Sequence, residues 1–259
     1  MNTENYFNFT SLLNIISKFK MKHLPNFITS LNLASGFIAI IFAANGNLVT
    51  ASWFILAAMI FDFLDGMSAR LLKAYSEIGK ELDSLADIVS FGVAPGIIIY
   101  QLLNSSLSLF SPIIVNSDSV TASLILIFPV IMPVCGALRL AKFNIDTTQT
   151  TTFRGLPIPA NALSVISIVI AGHYSQSLLL NSFTGSPFLL ILFTIILSLL
   201  MVSRIPLLSL KVSNLKLKGN EGRYILVVLV LFAYLIFGVL AIPLIVPLYI
   251  VSSAISLLF

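Results

Sequence analysis

Charge is scarce in this chain. Only 9% of its 259 residues are Asp, Glu, Lys or Arg, while 58% are hydrophobic and the mean hydropathy is +1.04. A soluble domain carries about 25% charged residues, so this composition excludes one and indicates a polytopic membrane protein. Cysteine is nearly absent too. The single Cys135 rules out an internal disulfide and a cysteine-based zinc site. The two histidines, His23 and His173, are far apart in sequence and offer no metal-ligand cluster. A cleavable signal peptide is not expected, because Lys18, Lys20 and Lys22 follow polar sequence and no small-residue cleavage site is evident.

What is abundant is apolar sequence in long runs. A membrane helix needs about 20 mainly apolar residues. Eight stretches qualify: 24–45, 48–70, 80–103, 120–142, 157–173, 187–203, 223–240 and 242–258. The last two hold Pro243 and Pro247 and are joined by a tight turn, so a shallow hairpin is the alternative for that pair. Ahead of them, "SLLNIISKFKMKH" places Leu12, Leu13, Ile15, Ile16 and Phe19 on one helical face and lysines on the other. That pattern suits a helix lying in the membrane interface. The expected organisation is an interfacial amphipathic leader, 1–23, followed by one all-α membrane bundle, 24–259, of about eight helices. The 204–223 loop is the longest basic connection.

The net charge of +4 would suit nucleic acid only if the bases clustered. Instead they alternate with the spans. Lys18, Lys20 and Lys22 precede the first; Arg70, Lys73 and Lys80 join the second to the third; Arg139, Lys142 and Arg154 join the fourth to the fifth; and Arg204, Lys211, Lys216, Lys218 and Arg223 join the sixth to the seventh. All 14 therefore fall on one side, and Asp118 is the only charge in the opposite loops. The positive-inside rule puts both termini on the cytoplasmic side of the membrane, and no nucleic-acid partner is needed to explain the basic excess.

Against this oily background, "DFLDGMSARLLKAYSEIGKELDSLAD" concentrates acids between Asp62 and Asp87. Asp62, Asp65, Gly66, Ala69 and Arg70 recur at three- and four-residue intervals on one helical face, and Gly79, Asp83 and Asp87 do so on the next helix. Two antiparallel helices would bring the four carboxylates together, where they repel unless cations sit among them. Oxygen ligands select hard divalent ions such as Mg²⁺ or Mn²⁺, and a pair of these suits phosphoryl transfer. Gly66 and Ala69 leave the helix bare for a phosphorylated ligand, Gly79 does likewise across the gap, and Arg70 is placed to fork a diphosphate. Ser76 supplies a hydroxyl in the connecting turn. Each residue also has an ordinary explanation: glycines pack helices, and Glu77 or Glu81 pairs with Lys73 or Lys80. Their joint spacing is what favours a site.

The pattern resembles the signature of the CDP-alcohol phosphatidyltransferases: Asp65-Gly66-Met67-Ser68-Ala69-Arg70, eight residues, then Gly79, Asp83 and Asp87, with Asp62 also matching. The likeness runs from "LPNFITSLNLASG" at 24–36 to "RGLPIPANA" at 154–162 and fades beyond. The resemblance implies a six-helix core plus a C-terminal pair, two divalent cations and a homodimer. It implies that Asp62, Asp65 and Asp83 hold one ion and Asp62, Asp83 and Asp87 the other, with Asp87 the general base. Gly66, Ala69, Arg70, Ser76 and Gly79 would surround the CDP moiety, approached from the first span by Asn26, Thr29 and Asn32. For the polar residues of "PNFIT", helix capping is the competing explanation.

"SLADIVSFGVAPG", "RLAKFN" and "GLPIPA" resemble the phosphatidylserine synthase branch of that family. The substrates implied are CDP-diacylglycerol and L-serine, with Arg139 and Lys142 near the serine carboxylate unless those bases are merely topogenic. Glycerol-3-phosphate or inositol phosphate is the alternative alcohol. A cation transporter using the aspartates as an ion path is the alternative of another class, although such acids usually sit at the bilayer midplane on broken helices. The charge pattern predicts that a reporter after Phe259 is cytoplasmic and one near Ser117 external. Recovering both on the same side would overturn the span arrangement.

Overall fold

A computed structural model describes residues 9–114, 119–145, 153–208 and 220–256 of the chain. They form an all-α bundle with one two-residue strand pair. Helix α1 (Phe9–Ala44) turns at Gly46 into α2 (Leu48–Leu71). Next come α3 (Glu77–Asp87), a π-helical turn (Ile88–Val93) and α4 (Ala94–Ile114). The chain continues through α5 (Ser119–Ile127), a 3₁₀ turn (Phe128–Val130) and α6 (Ile131–Ile145). Strand β1 (Phe153–Arg154) leads into α7 (Ile158–Ser175), α8 (Leu178–Thr184), α9 (Pro187–Val202) and β2 (Pro206–Leu207). The last elements are α10 (Glu221–Phe237), a 3₁₀ stretch (Gly238–Leu244) and α11 (Ile245–Ser256).

Among the described residues, six helical segments are long and apolar enough to cross a membrane, or seven if the bent pair α8 and α9 counts as one span. This count takes the whole run Glu221–Ser256 as one segment. The two C-terminal stretches form one helical run, Glu221–Ser256, interrupted near Gly238. Gly222, at the start of α10, lies so near the end of α11 that a Cβ there would stand 2.7 Å from Ser256 Cβ. The run therefore doubles back as a hairpin, with α10 as one leg and the 3₁₀ stretch plus α11 as the other. At the other end, α1 is continuous through Pro25, so the leader and the first span are one helix. The first eight residues of that leader lie outside the described residues, as does most of the 204–223 loop.

The bundle is apolar inside and out. Phe91, Ile98, Leu103, Met132, Ile166 and Leu190 are fully or nearly fully buried in the core. Phe63, Leu71, Phe232 and Leu235 remain largely exposed, as lipid-facing side chains do. A patch of this extent on a soluble monomer would aggregate, which agrees with a multi-pass membrane protein. Long-range polar contacts close the helix ends. Gln101 Nε2 donates to the Ala44 carbonyl at 2.7 Å, satisfying an orphan acceptor at the end of α1.

Strands β1 and β2 pair antiparallel, Arg154 opposite Pro206, and draw the chain before α7 onto the chain after α9. The junction needs Gly155, whose φ is +77°. Its N–H donates to Ile205 O at 2.9 Å, and that of Leu156 to Leu200 O at 2.9 Å. From the other side, Tyr249 Oη donates to Leu208 O at 2.8 Å and the Leu208 N–H donates to Ser253 Oγ at 3.1 Å. A Cβ on Gly155 would stand 2.6 Å from Met201 O and 2.8 Å from Ser203 O. Gly155→Ala should therefore destabilise the fold by roughly 1–3 kcal/mol through backbone strain alone, and by more with the clash. Thermal unfolding in detergent checks this; an unchanged Tm would mean that the junction yields.

Candidate active site

The site is built where α2 ends, α3 begins and α1 crosses both. Helix α2 stops in a Schellman turn: Ala74 N donates to Ala69 O at 3.0 Å, and Lys73 takes the left-handed position at φ +49°. Helix α3 starts at Ser76, whose Oγ accepts the Gly79 N–H at 3.0 Å. These two caps make a five-residue reversal, 72–76, so the signature faces of α2 and α3 meet.

The carboxylate oxygens of Asp62, Asp83 and Asp87 lie within 4.8 Å of one another. Asp87 is buried, and its Oδ1 accepts from Asn32 Nδ2 at 3.5 Å. Asp65 is buried one turn from Asp62, on the wall of an adjoining cavity that Asp83 also lines. Asp65 Oδ2 and Asp83 Oδ1 are buried with no hydrogen-bond partner. Acceptor-only oxygens without donors, gathered beside like charges, are the donor set a hard divalent cation requires, so these residues fit such an ion.

The cavity holds about 250 Å³ between α1, α2 and α3. Asn26 and Thr29 line it from α1; Gly66, Ala69 and Arg70 from α2; Ser76 and Gly79 from the turn and α3. Asn32 lies deeper, on Asp87. Because α1 begins well before Asn26, neither Asn26 nor Thr29 caps a helix. The Thr29 hydroxyl instead donates to Pro25 O at 3.0 Å within its own helix.

The glycines divide by what surrounds them. A Cβ on Gly66 would approach nothing but the tip of Arg70, at 3.6 Å, so its bare face opens on the cavity rather than on a packed helix. A Cβ on Gly79 would lie 2.8 Å from Asn26 Oδ1 and 2.9 Å from Ser76 Oγ, so here the small residue permits close approach. Arg70 is folded along α2, Nε donating to Gly66 O at 3.0 Å. Lys80, expected beside an acid, donates to Asn144 O at 3.2 Å and so ties α3 to α6.

A second cavity of about 450 Å³ has Arg139, Lys142, Arg154 and Arg204 in its lining. Arg139 has a buried Nε without a hydrogen-bond partner and interacts electrostatically with Asp87 and Tyr249. Arg139 is therefore the residue of this cavity that interacts by charge with the carboxylate cluster, through Asp87. Arg154 and Arg204 were legible in the sequence only as topogenic charge. The β1–β2 pair brings them together, and the one pointer to it is the glycine directly after Arg154.

An α-helical membrane bundle with clustered carboxylates beside an open glycine face is the architecture of an integral-membrane enzyme acting on phosphorylated substrates. A sequence model of the CDP-alcohol phosphatidyltransferase family matches residues 22–251, and the chain belongs to that family. Similar proteins include the CDP-diacylglycerol–serine O-phosphatidyltransferase of Bacillus subtilis, 40% identical over 71% of this chain and 89% of the relative. The same enzyme of Helicobacter pylori strain J99 is 33% identical over 91% of both chains. The archaetidylserine synthase of Methanothermobacter thermautotrophicus is 37% identical over 59% of this chain and 60% of its own.

Gly66 and Gly36 should respond oppositely to alanine. Gly66→Ala fills only open cavity, so Tm should stay within about 0.5 kcal/mol equivalent while nucleotide binding weakens by roughly 1–3 kcal/mol. Gly36→Ala would place a Cβ 2.2 Å from Ser90 Oγ and should lower Tm first. Calorimetric titration with CDP and thermal unfolding distinguish the two.

Proposed function

We propose that the protein transfers the phosphatidyl group of CDP-diacylglycerol to L-serine, giving phosphatidylserine and CMP. The observation that carries this reading is Asp87, a member of the carboxylate cluster that also interacts by charge with Arg139 in the lining of the basic cavity. The names of the relatives identify the alcohol as serine. We place the enzyme in the inner membrane as a homodimer, with its site and both termini cytoplasmic, following the distribution of basic residues and the family resemblance.

The donor lipid keeps its acyl chains in the bilayer and extends its cytidine diphosphate into the smaller cavity. Gly66, Ala69 and Gly79 let it approach backbone, Asn26, Thr29 and Ser76 offer polar contacts, and Arg70 unfolds from its own helix to fork the diphosphate. Asp62, Asp65, Asp83 and Asp87 would hold two divalent cations, Mg²⁺ or Mn²⁺, which when bound offset the charge of the diphosphate. Arg139 and Lys142 hold the serine carboxylate and leave its hydroxyl beside Asp87. Asn32 orients the Asp87 carboxylate, which accepts the hydroxyl proton. The serine oxygen attacks the phosphorus that bears diacylglycerol, the bond to the bridging oxygen breaks, and CMP leaves with that electron pair.

Purified protein supplied with CDP-diacylglycerol and a panel of labelled alcohols should release CMP with serine. Release only with glycerol-3-phosphate or inositol phosphate would move the acceptor, and cation flux in proteoliposomes without CMP release would replace the enzyme by a transporter. Asp83→Asn should abolish turnover in folded protein. Asp87→Glu should bind the lipid almost normally yet turn over ~10²-fold more slowly or worse, the scale of a lost general base. Its full recovery at saturating Mn²⁺ would leave Asp87 a ligand and move the base elsewhere.

A further inference from the structure

Directly after Asp87 the chain leaves the α-helical register. Across Ile88–Val93 the turn is π-helical, and the Ala94 N–H bonds Val89 O, five residues back. Pro95 explains why. In an α-helix the Phe91 carbonyl would accept the N–H of residue 95, which proline lacks, and the proline ring collides with that same carbonyl. Widening the turn relieves the collision and leaves Phe91 O needing another donor. Asn161 on α7 provides it, Nδ2 to Phe91 O at 3.3 Å. The side chain is fully buried, and its own Oδ1 has no hydrogen-bond partner. A buried amide kept for a single bond is costly, so the bond it makes matters to the turn it holds.

The opposite side of the turn is fastened to α1. Ser90 Oγ donates to Asn32 O at 3.0 Å, and Asn32 Nδ2 reaches Asp87 Oδ1. Gly36 makes room for this crossing, since a Cβ there would lie 2.7 Å from Ser90 Cα. One residue added to a helical turn rotates the helix before it by about 100° against the helix after it. The Gly79–Asp83–Asp87 face is thus set at its own angle to the buried Ile98, Ile99 and Leu103 of α4.

We propose that Asn161 and Ser90 are positioning residues: together they hold the proline-widened turn at the angle that brings Asp87 into the carboxylate cluster. The proposal rests on the reading of Asp87 as metal ligand and base given above. Neither residue touches the reacting atoms.

The test uses the full chain in detergent, with Mn²⁺ binding followed by electron paramagnetic resonance in the absence of both substrates, alongside Tm and steady-state kinetics. Asn161→Leu keeps the branched outline of the side chain and removes the donor. It should weaken Mn²⁺ binding by roughly 10- to 100-fold, the range for a lost outer partner of a metal site, and lower kcat while the KM for serine stays within about twofold. Ser90→Ala, which removes one hydroxyl, should act in the same direction and serves if the leucine variant does not fold. In Asn161→Leu/Pro95→Ala the Phe91 carbonyl regains an α-helical donor, so Tm should recover while Mn²⁺ affinity stays low. Recovery of both, or single variants that lower Tm alone, would overturn the proposal. Asp87→Asn is measured in parallel: if it keeps Mn²⁺ affinity and turnover, the assignment of Asp87 itself falls, whatever the Asn161 and Ser90 variants do.

Discussion

Mutual repulsion among Asp62, Asp83 and Asp87 is the constraint around which the site-bearing half of the bundle is organised. Two like charges about 4 Å apart repel by about 4 kcal/mol in partly screened surroundings. Three of them, with oxygens inside 4.8 Å, will not assemble unless the backbone gives them no alternative. The chain meets this demand with local geometry. The Schellman end of α2 and the Ser76 cap of α3 fix a short reversal, and α1 lies across both helices with Asn32 fully buried against the deepest carboxylate. Folding thereby holds ready an arrangement that favours cations and phosphates over water, the pre-organisation on which electrostatic catalysis depends.

Small residues serve two different ends in this arrangement. At Gly36, Gly92 and Gly136 the missing side chain lets helices cross at backbone distance: Ser90, Pro133 and Ile158 fill the space a Cβ would take. At Gly66 the same absence opens onto the cavity. Residue type alone does not separate these roles, because a membrane helix uses glycine mainly for packing. The surroundings of each glycine do.

The signature helices were legible because their chemistry is periodic. The face of Asp62, Asp65, Gly66, Ala69 and Arg70, and that of Gly79, Asp83 and Asp87, follow from helical spacing, and the structure brings the two faces together. What escaped was decided by tertiary packing. Pro25 reads as a helix start, yet α1 runs through it, since one lost hydrogen bond is outweighed by packing along the rest of the helix. Pro95 reads as an ordinary element of a third span, and only the partner on α7 shows that it widens a turn. Arg154 and Arg204 are 50 positions apart and become neighbours through a strand pair two residues long, below the length at which alternation can be read.

That short strand pair divides the chain's labour by position. Every residue lining the acidic, glycine-faced cavity comes from the stretch between Pro25 and Asp83, and every residue lining the basic one from the stretch between Arg139 and Arg204. The two are linked by the charge interaction of Asp87 with Arg139 and by the bond from Lys80 to Asn144. On the function proposed here, an inheritable change in the later stretch can alter the alcohol accepted while leaving the nucleotide grip untouched. A lineage built on this plan can diversify its lipid headgroups by rewriting one half of the chain, with the other half held to a fixed spelling.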